Sequence, residues 1–183
     1  MNASERGERP GIGQGVVAGL LAGTAVVLFF LVLDVASGEV FRTPSLLAAA
    51  VFGEAPAAVG TGLIVLFTAL HFAVFAALGA SAVTLFRWAG LPQNPMSGAL
   101  YGLFVFSLIF YVSLVVTGTG VFPASWWPAA LAGNFFAGLV LGGYLHWAGP
   151  RSGVFGLRDG MEDHPVVREG VVAGLLGAAA VAA

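Results

Sequence analysis

Four long apolar runs dominate the sequence and restrict the folds available to it. They cover residues 15–36, 57–86, 98–121 and 126–146, and each is long enough for the roughly 20 residues that a helix needs to cross a bilayer. Inside hydrocarbon, every backbone polar group must be paired within the protein, which favours helices. The sequence therefore predicts an all-α fold, a polytopic transmembrane helical bundle with four complete transmembrane helices.

The low charge content points to the same environment. Only 9% of the residues are charged and 58% are hydrophobic, whereas a soluble domain is about 25% charged. The net charge of −2 argues against nucleic-acid binding, which requires a basic surface. The chain has no cysteine, so thiolate-bound zinc and iron–sulfur clusters are excluded. The expected partner is the lipid bilayer.

Shorter segments flank the four runs. Residues 1–14 are predicted to be a cytoplasmic N-terminal segment, and 149–165 a cytoplasmic loop. A short outer interfacial helix is predicted at 44–53, because Thr43 resembles an N-cap and Pro44 suits the first helical position. Residues 166–183 form a partial fifth apolar segment, the start of a possible fifth helix or repeat.

Arginine positions indicate the orientation of the bundle. Cytoplasmic loops of membrane proteins carry an excess of basic residues. With the N-terminus cytoplasmic, Arg42 alone of the seven basic residues is outside. The other six are then inside: Arg6, Arg9, Arg87, Arg151, Arg158 and Arg168. We expect a multi-pass protein of the inner (cytoplasmic) membrane.

One seven-residue motif occurs twice. The sequence Gly-Val-Val-Ala-Gly-Leu-Leu stands at 15–21 and again at 170–176. A duplicated helical hairpin explains the match, with a further copy beginning near residue 165. The alternative is chance similarity, because Gly, Ala, Val and Leu dominate such chains.

Glycines recur every four residues in the first and fourth runs. Gly15, Gly19 and Gly23 lie on one helical face, and Gly138 and Gly142 repeat the spacing. Such faces let helix backbones approach closely in lipid. They predict helix packing within the bundle, with other membrane subunits or by self-association.

His71 is the ionisable residue placed deepest in the predicted bundle. It lies about 21 Å along the helix from Ala57 at 1.5 Å per residue, near the midplane for a tilted helix. Ionisable side chains are costly there and suggest function. The candidate roles are cofactor binding (an axial ligand to haem or pigment, or a hydrogen bond to a quinone) and a proton relay. The alternative is a neutral structural histidine bonded to a neighbouring helix, for example to Ser107 or Asn134.

A second group of polar residues is predicted at the outer side. Asp34 falls near the outer end of the first helix, and Arg42 lies in the following loop. Asn134 is about 12 Å into the fourth helix, counted from Trp126. An Asp34–Arg42 ion pair that holds the loop helix is one interpretation. The other is an outward-facing binding pocket with Asp34 as a cation or proton site.

Part of the sequence resembles a known group of proteins. The stretch Asp34-x3-Gly38, then Thr43-Pro44-Ser45-Leu46-Leu47 and the isolated His71, is similar to uncharacterised bacterial multi-pass membrane proteins. The resemblance covers roughly the first half of the chain. It implies a membrane protein and assigns no activity or site.

Three classes of function are compatible with these features. The sequence favours a helix-packing accessory or structural subunit of a larger membrane complex. The alternatives are a haem-, pigment- or quinone-binding protein that uses His71, and a small transporter or channel-like unit built from helical-hairpin repeats. No nucleophile elbow, Walker loop or metal-binding HExxH motif occurs, so neither enzymatic activity nor a metal site is predicted. No cofactor is required by the sequence.

Overall fold

The computed structural model of the chain describes residues 10–117 and 126–149. These ranges contain five helices and no β-strand. The helices are α1 (Ile12–Ala36), α2 (Arg42–Phe52), α3 (Thr61–Trp88), α4 (Pro95–Val116) and α5 (Trp126–Ala148). A 3-10 turn, Pro56–Ala58, precedes α3.

Four of the helices are long and apolar enough to span a membrane. They are α1, α3, α4 and α5, with 25, 28, 22 and 23 residues, and the shortest is about 33 Å long against a hydrocarbon core of about 30 Å. Apolar side chains remain exposed on their outer faces, for example Val32 and Leu108. The predicted all-α bundle of a membrane-embedded, multi-pass protein is confirmed.

Some helix boundaries differ from the predicted ones. α1 begins three residues early, at Ile12, because the Gln14 side chain accepts a hydrogen bond from the Gly11 N–H. α3 begins at Thr61 rather than 57, after the 3-10 turn and the extended Gly60. α4 begins at Pro95 rather than 98, because Asn94 caps it, and it ends at Val116 rather than 121.

Several predicted features lie outside the described residues. These are most of the N-terminal segment, the loop at 150–165, the partial fifth apolar segment at 166–183 and the second copy of the seven-residue motif at 170–176. Six of the arginines were assigned to the cytoplasmic side, and Arg87 is the one that falls within the described ranges.

The spanning helices pack in the order α3, α1, α5, α4. α1 lies in the middle, with α3 on one side and α5 on the other, and α4 packs against α5. α3 and α4 do not form a close backbone interface. α2 lies where α1 ends and α3 begins, so we call this end of the bundle the α2 end and the opposite one the Arg87 end.

Glycines lie at the contact between α1 and α3. A methyl group on Gly15 would overlap the carbonyl of Gly79, and one on Gly19 would overlap the carbonyl of Phe75. A methyl group on Gly79 would in turn overlap the backbone of Gly15 and Gly19. The two helices can approach this closely only because these residues have no side chain.

A second glycine contact joins α4 to α5. Gly98 faces Gly138 and Gly142, and Gly102 faces Gly138. A methyl group on any of the four would overlap the backbone of the opposite helix. The partners of the α5 glycines therefore include Gly98 and Gly102, two residues that the four-residue spacing in the first and fourth runs did not identify.

Aromatic side chains connect α3 with α4 near the middle of the bundle. The rings of Phe75 and Phe106 meet edge to face, with centroids 4.9 Å apart. Closer to the Arg87 end, the Tyr101 hydroxyl donates to the carbonyl of Leu78 at 2.9 Å and lies 2.7 Å from the Ser81 hydroxyl. These contacts close one half of the gap between the two helices.

A π-helical turn interrupts α4 at Gly102–Phe106. The Ser107 N–H donates to the carbonyl of Gly102, five residues back. A π turn holds more residues than an α turn, so Ser107 stays on the face that carries Gly98 and Gly102. There its hydroxyl accepts a hydrogen bond from Asn134 of α5 at 3.2 Å.

Candidate functional site

His71 lies on α3 and contacts α1 directly. It is about 15 Å from the start of α3 at 1.5 Å per residue, and its Nε2 is 3.2 Å from the carbonyl oxygen of Gly23. This close approach is possible because Gly23 has no side chain. A methyl group on Gly23 would lie only 3.1 Å from Cβ of Phe75. The interpretation of His71 as bonded to a neighbouring helix agrees with this contact, but the partner is Gly23 and not the suggested Ser107 or Asn134, which bond to each other.

Aromatic rings surround the imidazole of His71. The ring of Phe75 is 4.6 Å from it between centroids, that of Phe72 is 5.4 Å away, and that of Phe67 is 6.2 Å away. Phe75 also contacts Phe106 of α4. The histidine is thus held by a backbone bond on one side and by apolar rings around it.

Two cavities share His71 as a lining residue. The first has a volume of about 250 Å³ and lies among α1, α2 and α3. The second, of about 230 Å³, is lined by residues of all five helices. Both are mainly aliphatic and aromatic, and the residues lining both are Val26, Phe30, Leu47, Phe67 and His71.

α2 covers both cavities at its end of the bundle. Thr43 and Pro44 line the first cavity, Ala50 and Val51 line the second, and Leu47 lines both. Along α1 the first cavity extends from Val26 to Asp34, about 12 Å at the helical rise. The site is a partly open apolar space between the helices, with polar groups at its margins.

Asp34 connects the end of α1 to the start of α2. Its side chain is buried, with 3% of its surface exposed. Oδ1 accepts from the Thr43 hydroxyl at 2.7 Å, and Oδ2 accepts from the Thr43 N–H at 2.8 Å. A carboxylate at a helix N-terminus satisfies a free N–H and interacts favourably with the helix dipole. Asp34 is therefore a cap for α2, and Thr43 is not the N-cap that its sequence context suggested.

Arg42 has other partners than the predicted one. Its Nε is 3.2 Å from a carboxylate oxygen of Glu39, and its guanidinium lies 5.3 Å from the ring centre of Trp126. The predicted Asp34–Arg42 ion pair is wrong, because Asp34 is bonded to Thr43 instead. Just before Arg42, Phe41 has a left-handed backbone with φ of 70°, which costs a non-glycine residue roughly 1–2 kcal/mol.

Asn134 lies apart from Asp34 and Arg42. It is buried in α5, its Nδ2 donates to the Ser107 hydroxyl, and it lines the second cavity. Asp34 lines the first cavity. The predicted outer polar cluster is therefore not one site: Asp34 and Asn134 line different cavities, and Arg42 lines neither. His71 is the polar residue that the two cavities share.

The hydrogen bond to Gly23 limits which nitrogen of His71 could hold a haem or a chlorophyll-type pigment. A carbonyl oxygen can only accept, so Nε2 carries the proton that it donates to Gly23. Only Nδ1 is left for a metal, and Nδ1 is bonded to the ring carbon that joins the side chain to α3.

Other buried nitrogen atoms lie away from the cavities. Within the described ranges, the buried side-chain polar atoms without a hydrogen-bond partner are Asn94 Nδ2 and His146 Nδ1. His146 is in the last turn of α5, and Asn94 precedes α4, so both lie at the Arg87 end. His71 Nδ1 is not one of these occluded atoms. In the same ranges, no group of three or more His, Asp or Glu residues could hold a metal ion.

Comparisons with known proteins give no relative for this site. The chain matches no protein-family model, and no curated protein or solved structure is significantly similar to it. The site is therefore described by its own geometry. Thr43 and Phe106 belong to it and were not singled out as site residues in the sequence. Thr43 belongs to the site through its hydrogen bonds to Asp34, and Phe106 lies in the π turn of α4.

Proposed function

We propose that the protein binds a lipid-soluble small molecule in the two cavities at His71. The main observation in support is that His71 lines both cavities, while a hydrogen bond to Gly23 of the neighbouring helix holds its ring. An ionisable side chain at this depth is costly and suggests function. Small-molecule sites are commonly apolar spaces of about 300–1,000 Å³ with a few placed polar groups. The two cavities together fall within that range.

The arrangement of α3 and α4 supports entry from the bilayer. The helices have no close backbone interface, and side chains close the gap at Tyr101 and Phe106. Toward the α2 end, both helices line the second cavity, through residues such as Leu70 and Ile109. A molecule dissolved in lipid enters there without crossing an aqueous phase.

The arginine distribution supports a location for the site. With the N-terminus in the cytoplasm, Arg87 is cytoplasmic and α2 lies on the outer side. In a bacterial inner membrane, the first cavity then lies in the outer half of the bilayer, and the second extends from the outer half to about the middle, at Leu78 and Phe106. α2 separates them from the outer aqueous phase.

The glycine faces give less support to a role as a packing subunit. Gly15 and Gly19 already pack on α3, and Gly138 and Gly142 already pack on α4. These faces are therefore used within one chain rather than left for another subunit. The transporter hypothesis rests on a repeat whose second copy lies outside the described residues.

Native purification tests the proposal. Protein isolated in mild detergent is extracted with organic solvent, and the extract is analysed by mass spectrometry. We expect one lipophilic compound near equimolar with the wild type and reduced about tenfold, the effect of roughly 1.4 kcal/mol, in His71→Leu and Val26→Phe. The second change fills the space shared by both cavities.

Thr84→Val is the matched control on α3. The Thr84 hydroxyl is exposed, donates to the carbonyl of Ala80 and lines neither cavity. This variant should retain the compound at the wild-type level. Extracts that contain only bulk phospholipid, in equal proportion for wild type and all variants, would refute ligand binding.

A further inference from the structure

The hydrogen bond to Gly23 fixes which nitrogen of His71 can meet a ligand. Because Nε2 donates to the Gly23 carbonyl at 3.2 Å, the neutral ring carries its proton on Nε2 and a lone pair on Nδ1. A charged imidazolium would be costly among the surrounding phenylalanines. His71 therefore offers the cavities a hydrogen-bond acceptor and no donor.

The hydroxyl groups around the cavities have also used their hydrogens. Thr68 donates to the carbonyl of Ile64 at 2.8 Å, and Ser113 donates to that of Phe110 at 2.7 Å. Thr117 donates to the carbonyl of Ser113 at 2.9 Å. A hydroxyl has one hydrogen to donate and two lone pairs to accept.

The polar groups at the margins follow the same pattern with one exception. Thr43 donates both its N–H and its hydroxyl to Asp34, and the Asp34 carboxylate can only accept. Asn134 is the exception. Its amide donates one hydrogen to Ser107 and has a second one left to donate. Among the described residues, the polar lining of the two cavities thus accepts hydrogen bonds much more than it donates them.

We infer that the ligand is a lipophilic alcohol or phenol whose hydroxyl donates a hydrogen bond to Nδ1 of His71. The inference rests on the proposed function, and it names the chemical class of the ligand. An uncharged hydroxyl compound suits a space lined by Phe30, Phe67 and Phe110. A ketone, an ether or an oxidised quinone offers only acceptors and would meet the lone pair of Nδ1.

A pair of probes with nearly the same shape tests this inference. para-Hexylphenol carries a hydroxyl, and para-hexylanisole carries a methoxy group in its place. Their affinities for the full-length protein in nanodiscs are measured by calorimetry and corrected for partition into protein-free nanodiscs. We expect the phenol to bind about tenfold more tightly, the gain typical of one well-placed hydrogen bond.

Two variants test whether His71 causes the preference for the phenol over the ether. In His71→Leu the phenol and the ether should bind with equal affinity, whereas Thr84→Val, which lies outside both cavities, should keep the preference for the phenol. Equal binding of both probes to the wild type would overturn the inference and leave the proposed function standing. A preference for the phenol that survives in His71→Leu would do the same. Failure of both probes to bind, together with an extract free of any specific compound, would overturn the proposed function itself.

A measurement on the unmodified protein avoids reliance on folding of the variants. Nitrogen NMR with labelled histidine distinguishes a protonated ring nitrogen from one with a lone pair. His71 should show its proton on Nε2, and the Nδ1 resonance should shift on addition of the phenol but not of the ether. A proton on Nδ1 in the free protein would overturn the inference.

Discussion

At the scale of single residues, Asp34 shows how a buried carboxylate is stabilised without an opposite charge. Both of its oxygens accept hydrogen bonds from Thr43, and its charge lies at the N-terminus of α2. Burial without such partners would cost several kcal/mol. Asp34 thereby fixes the start of α2 relative to the end of α1.

Replacement of Asp34 by Asn is expected to loosen α2. The amide keeps one acceptor oxygen and places an NH2 group against a buried donor of Thr43. An unpaired buried donor costs about 1–3 kcal/mol. We expect a lower unfolding temperature in detergent and faster hydrogen exchange of the α2 amides, followed by mass spectrometry.

Glu39→Gln is the matched control in the same loop. The Glu39 side chain is 61% exposed in its ion pair with Arg42, and exposed pairs contribute about 0–1 kcal/mol. Exchange in α2 should stay near the wild-type rate. Equal effects of the two changes would contradict the capping role of Asp34.

The depth of His71 could be predicted from the sequence, but its partner could not. Its position in a long apolar run is enough to place it inside the bundle. The partner is a backbone carbonyl, which every residue carries, so nothing in the sequence singles out Gly23. The same reason explains the wrong ion pair for Asp34: charge is visible in a sequence, whereas a particular N–H is not.

At the scale of helices, the glycine contacts set the distance between neighbours. Gly19 lies against the backbone of Phe75, and Phe75 in turn contacts His71. The α1–α3 contact therefore positions the ring of His71 as well as the two helices. Replacement of Gly19 should therefore lower the stability of the protein and also displace the ring of His71.

Gly19→Ala is expected to force α1 and α3 apart. The new methyl group overlaps the carbonyl of Phe75, and overpacking of this kind costs about 1–3 kcal/mol. Thermal unfolding in detergent measures the loss. Gly13→Ala, on the same helix and with nothing near its methyl group, should be neutral or more stable by up to about 1 kcal/mol, because alanine favours helix. A loss as large in Gly13→Ala would contradict the contact.

Helix number and type followed from the sequence, whereas the shape of α4 did not. Apolar length is sufficient to identify α1, α3, α4 and α5. The π turn at Gly102–Phe106 arises because Gly98 and Ser107 must both face α5. That requirement depends on how α4 packs on α5, and no local pattern in the sequence expresses it.

At the scale of the whole molecule, the bundle is closed unevenly. Side chains connect α3 and α4 at Tyr101 and at Phe106, while the second cavity separates them toward the α2 end. The Tyr101 hydroxyl is the polar part of this connection. Removal of this hydroxyl should therefore widen the gap between α3 and α4 and lower the stability of the protein.

Tyr101→Phe is expected to widen the distribution of distances between α3 and α4. Loss of the hydrogen bond to Leu78 costs about 1 kcal/mol and lets the helices separate. Because the chain has no cysteine, spin labels can be placed at Leu66→Cys and Val112→Cys, two exposed positions, for pulsed EPR. Tyr111→Phe, which affects a bond to Trp127 of α5, should leave the distribution unchanged. An identical distribution in Tyr101→Phe would show that the hydroxyl does not hold the gap.

The orientation of the molecule can be tested with the same cysteine-free background. Glu54→Cys lies after α2, and Gln93→Cys lies between α3 and α4. With the N-terminus in the cytoplasm, an impermeant maleimide should label the first in intact cells and the second only after permeabilisation. The reverse pattern would invert the bundle and move the cavities to the inner half of the membrane.

The glycine contacts also bear on how the protein can vary over evolution. Any replacement of Gly19 or Gly98 adds an atom where the backbone of the next helix already lies. A second change cannot compensate, because the facing residues include Gly79 and Gly138, which are already as small as a residue can be. Outward-facing positions such as Val32 have no such limit. We therefore expect natural variants to keep these glycines while lipid-facing residues exchange freely among apolar types.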